Sequence, residues 1–177
     1  MKKLLAVLAL PIAILPAGCT TLDQVADSRI GQATLRTPTG IPMGRAELVA
    51  RGDGVALTIV AAGLAPGARG FHIHTTGRCE GPDFTSAGGH LNPAGARHGT
   101  EAEGGAHLGD LPNLTIDENR SVTTTVDLTG TREAWLSHLF DGDGTALVIH
   151  ENADDYRTDP TGNAGKRIAC GVIERAS

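Results

Sequence analysis

The stretch Val122-Thr123-Thr124-Thr125-Val126-Asp127-Leu128 indicates the fold most clearly. In an extended chain, successive side chains point to opposite faces. Val122, Val126 and Leu128 would therefore share one face, with Thr123, Thr125 and Asp127 on the other. This alternation predicts a strand with one face on an apolar core and one face in water.

Similar short runs of alternating or β-branched residues recur along the chain. They lie at residues 30–36, 45–50, 55–61, 146–150 and 168–173, and turn-forming Pro and Gly residues separate several of them. Outside residues 1–18, only a short turn around residues 133–139 suggests a helical period. The pattern predicts an all-β domain, folded as a sandwich or barrel.

Composition limits the function classes. The chain has 177 residues, of which 40% are hydrophobic, and these numbers fit one compact domain. Fifteen basic residues against twenty acidic ones give a net charge of −5, and the basic residues form no run. We therefore expect no nucleic-acid partner.

The first residues read as a targeting signal. Met1-Lys2-Lys3 precedes an apolar run at residues 4–15, which is shorter than the roughly 20 residues that a transmembrane helix needs. The run ends in Leu15-Pro16-Ala17-Gly18-Cys19, which resembles a bacterial lipobox. We expect a lipoprotein-type signal peptide at 1–18, a linker at 19–28 with lipidated Cys19, and a folded domain at 29–177. Simple cleavage near Ala17 is the alternative.

The cysteine count agrees with this division. If Cys19 is lipidated, Cys79 and Cys170 remain as a pair in an exported, oxidising environment. We expect one disulfide between them, with two buried free thiols as the alternative.

Residues 75–113 form a long, Gly-rich stretch with few strand signals, and such a stretch within a compact domain needs a functional reason or an internal tether. In Phe71-His72-Ile73-His74, the two imidazoles would lie on one face of a strand, about 6.6 Å apart, within reach of one metal. The following stretch adds His90, His98, His107 and Asp110, and His150 ends a later strand. This set exceeds the ligands of a single site, since zinc takes about four N or O ligands.

Six segments stand out when they are taken together: Gly70-Phe71-His72-Ile73-His74, residues 86–93 (SAGGHLNP), His98-Gly99, residues 107–113 (HLGDLPN), Val148-Ile149-His150 and residues 162–173 (GNAGKRIACGVI). In this order they resemble the copper/zinc superoxide dismutases. The resemblance covers about residues 29–175. It implies an eight-stranded Greek-key β-barrel.

The resemblance also implies a ligand set and a reaction. Copper would be held by His72, His74, His90 and His150, and zinc by His90, His98, His107 and Asp110, one ion of each per chain. Asp154 would link His72 to His98. Superoxide would be converted to dioxygen and hydrogen peroxide by a cycling copper, with Arg167 guiding the anion and His90 supplying a proton.

The targeting signal and the lipobox-like sequence predict export, with the protein either free in the periplasm or anchored through Cys19 as a periplasmic or outer-membrane lipoprotein. Whether the chain forms a homodimer is left open. The alternative function is a catalytically silent lipoprotein that stores or presents copper. Such a relative is expected to lack a copper ligand or the guiding arginine. This chain has all four expected copper ligands and the arginine.

Overall fold

The computed structural model describes residues 29–176 of the chain. In chain order, the strands are β1 (Arg29–Arg36), β2 (Pro42–Arg51), β3 (Gly54–Ala62), β4 (Gly67–Arg69), β5 (Phe71–His74), β6 (Leu114–Ile116), β7 (Ser121–Leu128), β8 (Ala146–His150), β9 (Arg167–Val172) and β10 (Glu174–Arg175). One 3-10 turn lies at Thr85–Ala87, and one helix, α1, spans Arg132–Leu139.

The strands form one large curled sheet and one small one. Neighbours in the large sheet follow the order β5-β8-β9-β1-β2-β3-β7, and β10 pairs with β1 as the eighth strand. The sheet curls into a half-barrel around an apolar core, while β4 and β6 pair separately. The all-β prediction is confirmed.

Strand β7 shows why this sequence folds as a sheet. It pairs antiparallel with β3, and Val122 lies opposite Ala61 while Val126 lies opposite Leu57. Val122 and Leu128 are buried, whereas Thr123 and Asp127 are exposed. The predicted apolar face therefore meets the core.

The predicted elements are present with small shifts at their ends. Residues 146–150 form β8 as expected, and the strand predicted at 45–50 extends to Pro42–Arg51. The short turn expected near 133–139 is the helix α1. Thr131 caps this helix by accepting the Ala134 N–H at 3.3 Å, and Trp135 packs on the core.

Strands β5 and β8 are buried on both faces. Phe71 and Ile73 of β5 belong to the main core, so His72 and His74 point to the opposite face. The stretch 75–113 covers that face, and this explains why β5 lacks the polar alternation of β7.

A disulfide ties the long stretch to the sheet. Cys79 and Cys170 are bonded with their Cα atoms 5.7 Å apart, so the predicted pairing is confirmed. Cys170 of β9 packs beside Ala146 and Val148, and Phe84 and Ala87 complete this second apolar cluster. Among the described residues, no helix is long and apolar enough to cross a membrane. Cys19 and the expected signal peptide lie outside the described residues.

Candidate metal centre

The first two histidines are placed by strand register. His72 lies opposite Val148 and His74 opposite Ala146 on the neighbouring strand β8. These small or medium partners leave room for two imidazole rings on one face of the sheet. His150, the last residue of β8, completes this group.

The stretch 75–113 contacts β5 at two points, and further candidate ligands lie beside these contacts. The Ile73 N–H donates to the Gly109 carbonyl at 2.9 Å, and the Ile73 carbonyl accepts the Leu91 N–H at 2.8 Å. A Cβ at position 109 would overlap the Ile73 carbonyl, so only glycine permits this approach. His90 and Asp110 follow directly beside these contacts.

Four imidazoles converge in a first cluster. Each of His72, His74, His90 and His150 offers one nitrogen, and these nitrogens all lie within 4.8 Å of one another. The converging atoms are Nδ1 of His72 and Nε2 of the other three, and none has a hydrogen-bond partner despite being buried. Buried polar atoms are normally satisfied, so four orphaned nitrogens facing one point fit a metal.

The outer nitrogens of two of these rings are already occupied. His74 Nδ1 donates to the Gly88 carbonyl at 3.0 Å, and His150 Nδ1 donates to the Gly165 carbonyl at 3.2 Å. Each bond fixes the proton on Nδ1 and leaves the Nε2 lone pair free for a metal.

A second cluster surrounds one carboxylate oxygen. Oδ1 of Asp110 lies 2.8 Å from Nδ1 of His90, 3.0 Å from Nδ1 of His98 and 3.3 Å from Nδ1 of His107. Three imidazole nitrogens and one carboxylate oxygen are a typical four-ligand set for zinc.

His90 belongs to both clusters. Its Nδ1 faces Asp110 in the second cluster, while its buried Nε2 faces the first cluster without a partner. The other imidazoles of the two groups direct one nitrogen inward and one outward, but His90 has side chains that could ligate a metal on each side.

Asp154 connects the two clusters through one histidine of each. Its Oδ2 lies 2.7 Å from Nε2 of His72, and its Oδ1 lies 2.9 Å from Nε2 of His98. The side chain of Asn113 holds Asp154 by accepting its N–H at 2.8 Å and donating to its carbonyl at 2.9 Å. A Cβ at Gly162 would overlap the Asp154 carboxylate. Asn113 stood in a recognised motif, but the sequence assigned it no role.

Burial sets the protonation of these groups. Desolvation lowers the pKa of His90 to about 4 and that of His150 to about 3, and it lowers the pKa of His74 well below its usual value. Burial opposes ionisation of Asp110, but hydrogen bonds from His90 and Gly99 outweigh it and hold its pKa well below its usual range. At neutral pH His74, His90 and His150 are therefore neutral imidazoles and Asp110 is an ionised carboxylate, the forms that bind metal.

Arg167 lies next to the first cluster. Its guanidinium donates to the carbonyls of Phe84 and Gly88, each at 2.6 Å, and is half-buried. The Gly88 carbonyl also accepts the Nδ1–H of His74, so one carbonyl oxygen links the arginine to a ring of the first cluster.

The model of the copper/zinc superoxide dismutase family matches residues 43–173, which include both clusters. The chain belongs to this family. It is therefore a superoxide dismutase of the Cu/Zn type, and its cofactors are copper and zinc. The orphaned nitrogens and the three-histidine, one-aspartate set fit these two metals.

One relative of this dismutase matches nearly its whole length, and two similar solved structures cover about four fifths of it. Superoxide dismutase [Cu-Zn] 2 of Aquifex aeolicus is 42% identical over 98% of this chain and 99% of its own length. The structure of a SOD-like protein from Bacillus subtilis is similar with a TM-score of 0.74 at 39% identity, covering 80% of this chain and 96% of that one. The Cu/Zn superoxide dismutase from Brucella abortus gives a TM-score of 0.66 at 29% identity, covering 81% and 98%.

Proposed function

We propose that the first cluster, His72, His74, His90 and His150, holds copper, and that the second, His90, His98, His107 and Asp110, holds zinc. The two-sided position of His90 carries this proposal. An imidazole that has lost both protons can donate a lone pair from each nitrogen, and a metal on each side makes that state accessible near neutral pH.

Copper held by the first cluster would supply the redox chemistry, by which one superoxide is oxidised to dioxygen and a second is reduced by the same electron and, with two protons, leaves as hydrogen peroxide. His90 Nε2 is the atom that we propose holds one of these protons and delivers it to the reduced substrate, while solvent supplies the other. This nitrogen is buried and otherwise unpartnered, so it can alternate between a metal and a proton.

Arg167 would attract and orient the anionic substrate. The chain carries a net charge of −5, so its overall field repels superoxide and the attraction must be local. Two backbone carbonyls fix the guanidinium beside His74, and this preorganises a positive charge next to the proposed copper ligands.

The second cluster would have a structural and electrostatic role. It joins His90 to three other ligands of the stretch 75–113, so zinc there would hold both this stretch and the shared imidazole in place. Asp154 would set the orientation of His72 and His98, because each ring offers it one nitrogen.

We also propose that the protein acts in the cell envelope, exported by residues 1–18 and anchored through lipidated Cys19. The Cys79–Cys170 disulfide supports export, because such bonds persist in oxidising compartments. There it would protect envelope components from superoxide.

Metal analysis of His72→Ala tests the ligand assignment. Wild-type protein reconstituted with both metals should hold one copper and one zinc per chain. His72→Ala should lose copper and dismutation but keep most of its zinc, because this ring belongs only to the first cluster.

His138→Ala is the matched control, since His138 belongs to neither cluster. It should keep both metals and full activity. If His72→Ala retained wild-type copper content and activity, the copper site would have to be reassigned.

A further inference from the structure

The segment 151–166, which joins β8 to β9, contacts the second cluster twice. One contact is that of Asp154 with the His98 ring, and the other is made by Asp159. Oδ1 of Asp159 accepts the backbone N–H of His98 at 2.7 Å. The same oxygen lies 3.9 Å from Nε2 of His107. One carboxylate thus lies against two neighbouring members of the second cluster, whose ring centroids are 5.3 Å apart.

The orientation of His107 makes this contact meaningful. Its Nδ1 faces Asp110 and is buried without a hydrogen bond, so Nε2 is its outward nitrogen. A neutral imidazole that ligates through Nδ1 carries its proton on Nε2. The nearest carboxylate oxygen to that nitrogen across the two segments is Oδ1 of the half-exposed Asp159, which the His98 N–H already holds in place.

Other outward ring nitrogens in the centre already have acceptors. His72 and His98 share Asp154, and the Nδ1 atoms of His74 and His150 donate to backbone carbonyls. Asp159 would fill the same role for His107. Metal-ligating histidines almost always have such a partner, because it fixes the ring and raises its basicity.

We propose that Asp159 is a positioning residue for zinc, anchoring the backbone of His98 and serving as the outer carboxylate of His107. This inference rests on the proposed zinc ligands. The segment 151–166 would then hold the second cluster through two carboxylates. Asp154 contacts the His98 ring from the buried side, and Asp159 contacts His98 and His107 from the half-exposed side.

The segment is docked by contacts that do not involve Asp159. Arg157 Nε donates to Glu101 at 2.7 Å, the Tyr156 carbonyl accepts the Glu101 N–H at 3.1 Å, and the Tyr156 hydroxyl accepts the Asn113 N–H at 2.8 Å. A substitution at Asp159 should therefore leave the segment in place and change only its contact with the ligands.

The test measures zinc release from holoenzyme containing one copper and one zinc per chain, after mixing with an excess of a zinc chelator. Asp159→Ala should release zinc at least about tenfold faster, in line with the 10- to 100-fold effects of losing an outer-shell partner. Asp159→Asn keeps an oxygen acceptor for the His98 N–H but loses the charge beside His107, so its rate should be intermediate. Copper content should stay at the wild-type level.

Glu101→Gln is the matched control, because it weakens the contact between the same two segments and removes one negative charge without touching a ligand. Its zinc release should match that of wild type. In protein with cobalt(II) at the zinc position, the visible absorption spectrum should change in Asp159→Ala and not in Glu101→Gln, reporting ligand geometry independently of activity.

Equal zinc release from wild type and Asp159→Ala would overturn the inference, as would equal acceleration in Glu101→Gln, which would indicate a general loosening of the segment. Wild-type protein that retains no zinc would instead overturn the proposed ligand assignment, and the inference with it. The two failures are distinguished by the zinc content of wild type before the chelator is added.

Discussion

Removing the disulfide should lower the free energy of unfolding of the metal-free protein by an amount that depends on the length of the loop that the bond closes. The Cys79–Cys170 bond closes a loop with a sequence separation of 91. The chain-entropy relation for a loop of this length gives about 4.6 kcal/mol at 25 °C, an upper figure. A domain of this size changes its melting temperature by about 2–4 °C per kcal/mol, so Cys79→Ser should melt at a temperature lower by up to about 9–18 °C.

The metal-free form is the right sample, because bound metals would also tether the stretch 75–113 and mask the loss. Thermal unfolding followed by circular dichroism gives the midpoint. Cys79 is only half-buried, so serine should be accommodated at its position better than at the buried Cys170.

Reductant provides the control for this experiment. It should lower the midpoint of wild type to that of Cys79→Ser and leave the variant itself unchanged. If oxidised wild type and Cys79→Ser melted at the same temperature, the bond would contribute no constraint and the reasoning would be refuted.

Two further predictions concern the substrate and the anchor. Arg167→Glu should lower the catalytic rate constant at least about tenfold at unchanged copper content, which needs only about 1.4 kcal/mol of lost transition-state stabilisation. The wild-type rate should fall as the salt concentration rises, and Arg167→Glu should flatten this dependence. If the variant kept the wild-type rate and salt dependence, another residue would have to guide the substrate. Cys19→Ala should shift the protein from the membrane fraction to the soluble fraction of fractionated cells, and an unchanged distribution would contradict lipidation.

Alternation and short-range motifs made much of the fold predictable. Strand β7 could be located because only one of its faces is buried. The pieces β4, β6 and β10 have two or three residues each, too few to show a period. Their pairing depends on tertiary contacts that a local pattern does not encode.

The sequence was enough to predict which residues could ligate a metal. It was not enough to predict the contacts that hold these residues in place. The spacing of His72 and His74 indicates a shared face of one strand. By contrast, nothing local to Asp159 indicates that it meets the His98 backbone 61 residues away. Asn113 is a similar case, because its bonds to Asp154 span 41 residues and form only when the two segments dock.

Superoxide decay after pulse radiolysis tests the central claim most directly. With protein holding one copper and one zinc per chain, and a chelator present to bind free copper, the decay rate should rise in proportion to protein concentration. Metal-free protein should leave the decay at the rate of buffer. If fully loaded protein also left the decay at the buffer rate, it would not be acting as a dismutase, and the account of its metal centre as a catalytic site would be contradicted.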